Sequence, residues 1–206
     1  MIWRLAIAML GKLRVRYEQA MQPVGRGLGK LGITPNTITT ISLILAVLAG
    51  ISYATKMPLL GALGLVSSGA VDMLDGAVAR ATGKITRFGA VYDPVLDRYA
   101  EFFVLVGIAL GGLTDWFWVV FALFGMIMAS YTRARAESSG GLKSCAVGIA
   151  ERQEKIILLL IGSLLQPFVT SALSLCVIIV GILSHITVIQ RLQFTWRQTS
   201  VEAVHV

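Results

Sequence analysis

A chain of 206 residues that is 56% hydrophobic and only 14% charged, with a mean hydropathy of +0.78, is too apolar for a soluble domain of its size. Eighteen Lys and Arg against eleven Asp and Glu leave a net charge of +7. In so apolar a chain that surplus reads as basic loops on the cytoplasmic side of a membrane, which argues against a nucleic-acid partner.

Residues 1–32 set apolar positions (Ile2, Trp3, Leu5, Leu10, Leu13) among basic ones at helical spacing, which predicts an amphipathic helix in the membrane interface. No small-residue cleavage site follows the short apolar run after Arg4, so no signal peptide is expected. Thr34-Pro35-Asn36 starts a helix, and residues 37–55 form a first span. Lys56 and Pro58 mark a turn. A second span opens at 59–71 and must continue through Asp72 and Asp75 to be long enough. A third covers 88–113 and contains Asp93 and Asp97, and a fourth begins with 116–129 and ends in SYTRARAE. A Gly/Ser-rich loop at 138–148 leads to a fifth span at 149–165 and a sixth at 171–189. Cys145 and Cys176 lack metal-ligand spacing and read as free thiols.

The expected fold is therefore an all-α integral membrane protein with six transmembrane helices behind an N-terminal amphipathic interfacial helix. It divides into a juxtamembrane segment at 1–32, a membrane domain at 33–194 and a cytoplasmic tail at 195–206. Six spans put every Lys and Arg except Lys56 on the side that carries both termini, which makes that side cytoplasmic.

The chemistry gathers in DMLDGAVARATGKITRFGAVYDPVLD, residues 72–97. Asp72 and Asp75 are three apart and Asp93 and Asp97 four apart, so each pair shares a helix face. Gly83 and Lys84 supply a turn that folds the pairs together. Counting about 1.5 Å of rise per residue from the outer ends of their spans puts all four carboxylates at one level near the cytoplasmic edge. Carboxylates crowded in an apolar setting repel one another unless cations fill the space between them. Oxygen ligands point to a hard divalent ion, Mg2+ or Mn2+.

The run Asp72-x-x-Asp75-Gly76-x-x-Ala79-Arg80, then eight residues, then Gly89-x-x-x-Asp93-x-x-x-Asp97 resembles the whole signature of the CDP-alcohol phosphotransferases, over nearly the full chain. The resemblance implies an enzyme in which an alcohol attacks the β-phosphate of a CDP-activated lipid (CDP-diacylglycerol or CDP-archaeol) and CMP departs. It also implies a homodimer and two metal ions, with Asp72, Asp75 and Asp93 as ligands and Asp97 as both ligand and general base. Pro35, Asn36, Thr37, Ile38 and Thr86 would meet the CDP headgroup. Gly76 and Ala79, both small, would admit the nucleotide to the helix backbone, and Arg80 would reach the diphosphate.

Arg133, Arg152 and Arg191 fall, by the same count, at the level of the aspartates and predict a pocket for an acceptor that itself carries a phosphate. The RARAE and AER-x-E-K stretches and Gln190-Arg191 resemble the inositol-phosphate branch of the family, the phosphatidylinositol phosphate and archaetidylinositol phosphate synthases. Pro94 after Asp93 resembles the glycerol-phosphate branch, whereas Arg98 after Asp97 departs from the Lys usual there. Inositol phosphate is thus the expected acceptor and glycerol 3-phosphate the alternative. A metal or ion transporter would also place charges inside spans. Such a pathway should leave polar residues on both sides of the membrane, and here they collect on one.

Overall fold

The computed structural model describes residues 21, 23–83 and 85–200, so most of the segment expected to form the interfacial helix lies outside the described residues. Among those described, seven helices follow one another: α1 over residues 23–30, α2 Pro35–Ala54, α3 Pro58–Thr82, α4 Gly89–Leu110, α5 Trp116–Ser138, α6 Arg152–Leu165 and α7 Ala172–Thr199. No strand occurs among the described residues.

The helix ends follow from local chemistry. Thr34 caps α2, its Oγ1 accepting the Thr37 N–H at 3.2 Å, and Pro35 fills the first turn, where no N–H is needed. At the other end Lys56, at φ 61°, turns the chain out of the helix, with bonds from Lys56 N to Tyr53 O and from Met57 N to Ser52 O. Gly83, at φ 66°, stops α3 in the same left-handed conformation, at the place where the sequence predicts a turn. Thr86 Oγ1 accepts the Gly89 N–H at 2.9 Å and starts α4.

Three boundaries differ from expectation by three residues or more, the first being the end of α4, at Leu110 and not at 113. The fifth expected span begins as a helix at Arg152 and not at 149, because the Glu151 N–H is taken by the Glu154 side chain at 2.9 Å and fixes the start there. The last helix does not end at 189. No Gly or Pro interrupts residues 190–199, and it runs through position 195, where a tail was expected to begin, to Thr199.

Four helices, α2, α3, α5 and α7, are long and apolar enough to cross a membrane by length and composition. The other two of the six expected spans do not meet that measure. α4 carries Asp93, Asp97, Arg98 and Glu101, and α6 has 14 residues, about 21 Å of rise against a hydrocarbon core of about 30 Å. The exposed faces support a membrane protein. Ile41, Ile44, Leu48 and Ile51 form an outward stripe on α2, and Leu175, Ile179, Ile182, Ile186 and Ile189 form another on α7. Water penalises such surfaces, whereas lipid accepts them.

The described residues divide into two compact units, one of Val66–Ala100 with those up to Val47, the other of Leu48–Leu65 with those from Glu101 onward. In the first, Ser42 and Ser68 are buried and bonded to one another and to each other's carbonyls, a polar fastening between α2 and α3. Gly25 and Gly29 of α1 lie against α3: a Cβ on Gly25 would stand 2.9 Å from Ala77 O, and one on Gly29 would strike the Thr82 methyl.

In the second unit small residues let backbones touch. A Cβ on Gly107 would run into the Gly50 carbonyl, and one on Gly111 into the Tyr53 carbonyl, so α4 meets α2 through a Gly-x-x-x-Gly face. Tyr53, fully buried, shares a 2.7 Å hydrogen bond with Ser163 of α6. α5 and α7 pack through Gly125, beside Ser184 and His185, and Gly181, beside Phe121. Gly107→Val must push α4 off α2, a misfit of about 1–3 kcal/mol, so the thermal midpoint should fall by roughly 2–12 °C. Gly112→Val, a change outside this contact but at φ 65°, is a poor control; Gly27→Ala, where a Cβ meets nothing within 4 Å and alanine suits a helix better than glycine, should leave the midpoint unchanged or slightly raised.

Candidate active site

Asp72 and Asp75 stand on one face of α3, and the turn after Gly83 brings α4 back so that Asp93 joins them. One carboxylate oxygen of each of the three lies within 4.8 Å of the others, and all three residues are half-buried. Three hard oxygen donors so placed suit Mg2+ or Mn2+ and leave little chemical use for a softer metal. Asp97 does not belong to this close group. It sits one turn beyond Asp93, about 6 Å further along α4, with Arg98 Nη2 4.0 Å from its Oδ2.

Asp75 has a defined partner. The Thr39 hydroxyl, on a residue only 3% exposed, lies 2.8 Å from Asp75 Oδ2 and 3.1 Å from Pro35 O. One residue on, Thr40 Oγ1 is 2.8 Å from Asn36 O and 3.0 Å from the hydroxyl of Tyr92, the neighbour of Asp93.

The residues expected at a nucleotide lie at the start of α2, on α3 and in the turn between α3 and α4. Asn36 Oδ1 and Thr86 Oγ1 converge over the Cα of Gly89, 3.3 and 3.1 Å from where a Cβ would stand. Pro35 is half-buried, Thr37 exposed and Ile38 buried in the first turns of α2. Over Gly76 lies the guanidinium of Arg80, whose Nη1 would be 3.3 Å from a Cβ there. Absence of a side chain at Gly76 therefore gives Arg80 room to fold back along its own helix. Ala79 is half-buried beside them.

The arginines expected to hold an acceptor phosphate belong to the second unit. Arg133 Nε donates to Glu137 Oε1 at 3.0 Å, and the Cys145 N–H donates to the same oxygen at 2.9 Å. Arg191 is only 6% exposed; its Nε donates to Val147 O at 2.9 Å and its Nη1 to Ala129 O at 2.6 Å. Arg133 and Arg191 both act electrostatically on Glu137. Arg152 is the first residue of α6 and is half-buried. Arg133 is thus paired with Glu137, and Arg191 has a structural duty, bridging α5 and the loop before α6.

The sequence pattern of the CDP-alcohol phosphatidyltransferases matches residues 32–197. The chain belongs to this family. It is 42% identical over 183 residues to the archaetidylinositol phosphate synthase of Pyrococcus horikoshii, covering 89% of this chain and 94% of that one. Its fold is similar to crystal structures of the phosphatidylinositol phosphate synthase of Mycobacterium tuberculosis. With CDP-DAG bound, that structure shows a TM-score of 0.78 and 31% identity over 86% of this chain and 94% of the other. In complex with manganese and citrate, it shows a TM-score of 0.78 and 32% identity over 85% and 88%.

For this CDP-alcohol phosphatidyltransferase, the hydroxyls of Thr39, Thr40 and Tyr92 and the carboxylate of Glu137 are the neighbours that no sequence signal picks out. Thr39 and Thr40 look like two more residues of an apolar span, although their place one turn after Pro35, at the mouth of the first span, is a usable hint. Glu137, four residues after Arg133, reads as an ordinary surface ion pair. Arg191→Lys keeps charge but loses the fork that reaches two carbonyls at once. Each lost charge-assisted bond is worth about 1.5–3 kcal/mol, and amide exchange across residues 139–151 should speed up by at least tenfold while the core of α3 stays protected.

Proposed function

We propose that this enzyme transfers a phosphatidyl or archaetidyl group from a CDP-activated lipid to inositol 1-phosphate and releases CMP. The observation that carries the reading is the group of Asp72, Asp75 and Asp93, drawn from two helices to within 4.8 Å, on a chain 42% identical to an archaetidylinositol phosphate synthase. The manganese in the mycobacterial relative supports a divalent ion here. In this reading Asp72, Asp75, Asp93 and Asp97 hold two ions, Mg2+ or Mn2+. Such ions supply positive charge to a diphosphate and favour in-line displacement at phosphorus.

The chain's own residues do the rest. Arg80, folded back over Gly76, binds the diphosphate by a charge-assisted fork. Asn36 and Thr86, with Pro35, Thr37, Ile38 and Ala79, hold the cytidine end. Asp97, apart from the three crowded carboxylates, accepts the proton of the acceptor hydroxyl. The hydroxyl oxygen then bonds to the β-phosphorus as the bond to the bridging oxygen breaks, and CMP leaves with that oxygen. Arg133, Arg152 and Arg191 bind the acceptor's phosphate. The active site and both chain ends face the cytoplasm, six helices cross the membrane, and the enzyme works as a homodimer.

Glycerol 3-phosphate is the second acceptor to test, on the strength of Pro94, which follows Asp93 inside α4. Incubation with CDP-lipid and, separately, inositol 1-phosphate, glycerol 3-phosphate, inositol or serine, with the lipid product read by mass, decides among them. A phosphoinositol lipid from the first alone is expected; product from glycerol 3-phosphate alone would replace the acceptor and leave the rest standing.

Asp72→Asn, Asp75→Asn and Asp93→Asn should each abolish CMP release without changing the helical circular-dichroism signal. Asp97→Asn should stop transfer while CDP-lipid binding remains measurable, and a drop of only a few-fold would show that another group takes the proton. Arg191 is a poor probe of the acceptor because it also holds the backbone. Arg133→Gln and Arg152→Gln serve instead: loss of about 1.5–3 kcal/mol corresponds to a KM for inositol 1-phosphate raised by about ten- to a hundred-fold. The KM for CDP-lipid should stay nearly constant, and an equal rise in both would overturn the assignment.

A further inference from the structure

Helix α2 contributes no carboxylate to the aspartate group, yet two successive hydroxyls on it reach both helices that do. Thr39 is buried and its hydroxyl lies 2.8 Å from Asp75 Oδ2. A threonine inside a helix ordinarily donates to the carbonyl four residues back, as Thr40 does toward Asn36 O at 2.8 Å. For Thr39 that carbonyl, Pro35 O, is the more distant acceptor at 3.1 Å, and the charged one is nearer. The proton therefore goes to the carboxylate, where a charge-assisted bond is stronger. At Thr40 the proton is used on Asn36 O, so the Tyr92 hydroxyl donates to Thr40 Oγ1 across 3.0 Å. Tyr92 immediately precedes Asp93.

We infer that Thr39 and Thr40 are positioning residues that set the aspartate group for its cation, Thr39 by holding the Asp75 carboxylate and Thr40 by tying the turn of α4 that bears Asp93. The physical need is plain. Three like charges within 4.8 Å drive one another apart, and a carboxylate turns easily about its last bond. A hydrogen bond to one Asp75 oxygen fixes that rotation and leaves the other oxygen aimed by geometry. The Tyr92 bond restrains Asp93 through the backbone, not by contact. A helix without ligands thus sets the spacing between two helices that have them.

This inference rests on the metal-binding reading of Asp72, Asp75 and Asp93, and the experiment separates the two. The full chain, purified in detergent, is titrated with Mn2+ and free Mn2+ is followed by electron paramagnetic resonance, with the thermal midpoint measured without metal. Thr39→Val preserves shape and removes the hydroxyl; by analogy with partners of metal ligands elsewhere, the Kd for Mn2+ should rise by about ten- to a hundred-fold. Thr39→Ser restores the hydroxyl and should bring the Kd back to within about threefold of wild type, the margin below the range for a lost partner. Thr40→Val and Tyr92→Phe, which remove opposite ends of one bond, should weaken Mn2+ equally, and combining them should add nothing.

Wild-type affinity in Thr39→Val would overturn the role of Thr39, and so would a Thr39→Ser protein as weak as Thr39→Val with the same midpoint. Should Thr39→Val fail to fold, Thr39→Ala paired with Thr39→Ser carries the same expectations. Asp75→Asn is the control: if it binds Mn2+ as wild type does, the metal reading falls and takes this inference with it, whereas weak binding by Asp75→Asn beside normal binding by Thr39→Val overturns this inference alone.

Discussion

Repulsion among Asp72, Asp75 and Asp93 is the constraint around which the first unit is arranged. Three carboxylates with oxygens within 4.8 Å cannot remain charged together without positive charge between them or hydrogen bonds to restrain them. The unit supplies restraint at several points. Ser42 and Ser68 fasten α2 to α3, Thr39 bonds Asp75, and Thr40 meets Tyr92. In the proposed reading a cation supplies the remaining balance, and binding affinity and local order become two expressions of the same arrangement.

The second unit solves a different problem. Where lipid is as apolar as any leucine, burial of large side chains gives little reason for helices to associate, and close backbone approach gives more. Gly50, Gly107 and Gly111 allow that approach, while Phe117, Val120, Phe124 and Ile127 of α5 stay on exposed surface. The same sorting explains why Tyr53, a large polar residue, is acceptable in the core: its hydroxyl is bonded to Ser163, which in turn donates to Leu159 O.

Much of this was legible in the residues. Apolar runs, Thr34-Pro35 and the glycine at 83 mark most helix ends to within a few positions, and the spacing of the aspartates puts Asp72, Asp75 and Asp93 together. Inward faces were less legible, since the outward stripe of α2 is as hydrophobic as a core and only the small residues on the other side betray packing. Asp97 shows the limit of face arguments. Four residues along a helix return to the same face but also advance by a turn, which takes its carboxylate out of the close group formed by the other three. The start of α6 and the length of α7 depend on Glu151 with Glu154 and on an absence of breakers, signals weaker than hydropathy.

The segment 139–151 has no helix or strand to hold it, yet it is attached at spaced points: Cys145 N–H to Glu137, Val147 O to Arg191, and Gly148 packed against the Thr187 methyl. Each attachment divides one long closure into shorter ones. Because the entropy of closing a loop grows only slowly with length, the first attachment carries most of the ordering cost and each later one is made by a chain already confined. Arg191 and Glu137 are then coupled through the chain between them as well as by charge, and releasing either end loosens the other. A side chain read as a simple cation at the end of a span is, by this route, a determinant of how an entire connection is shaped.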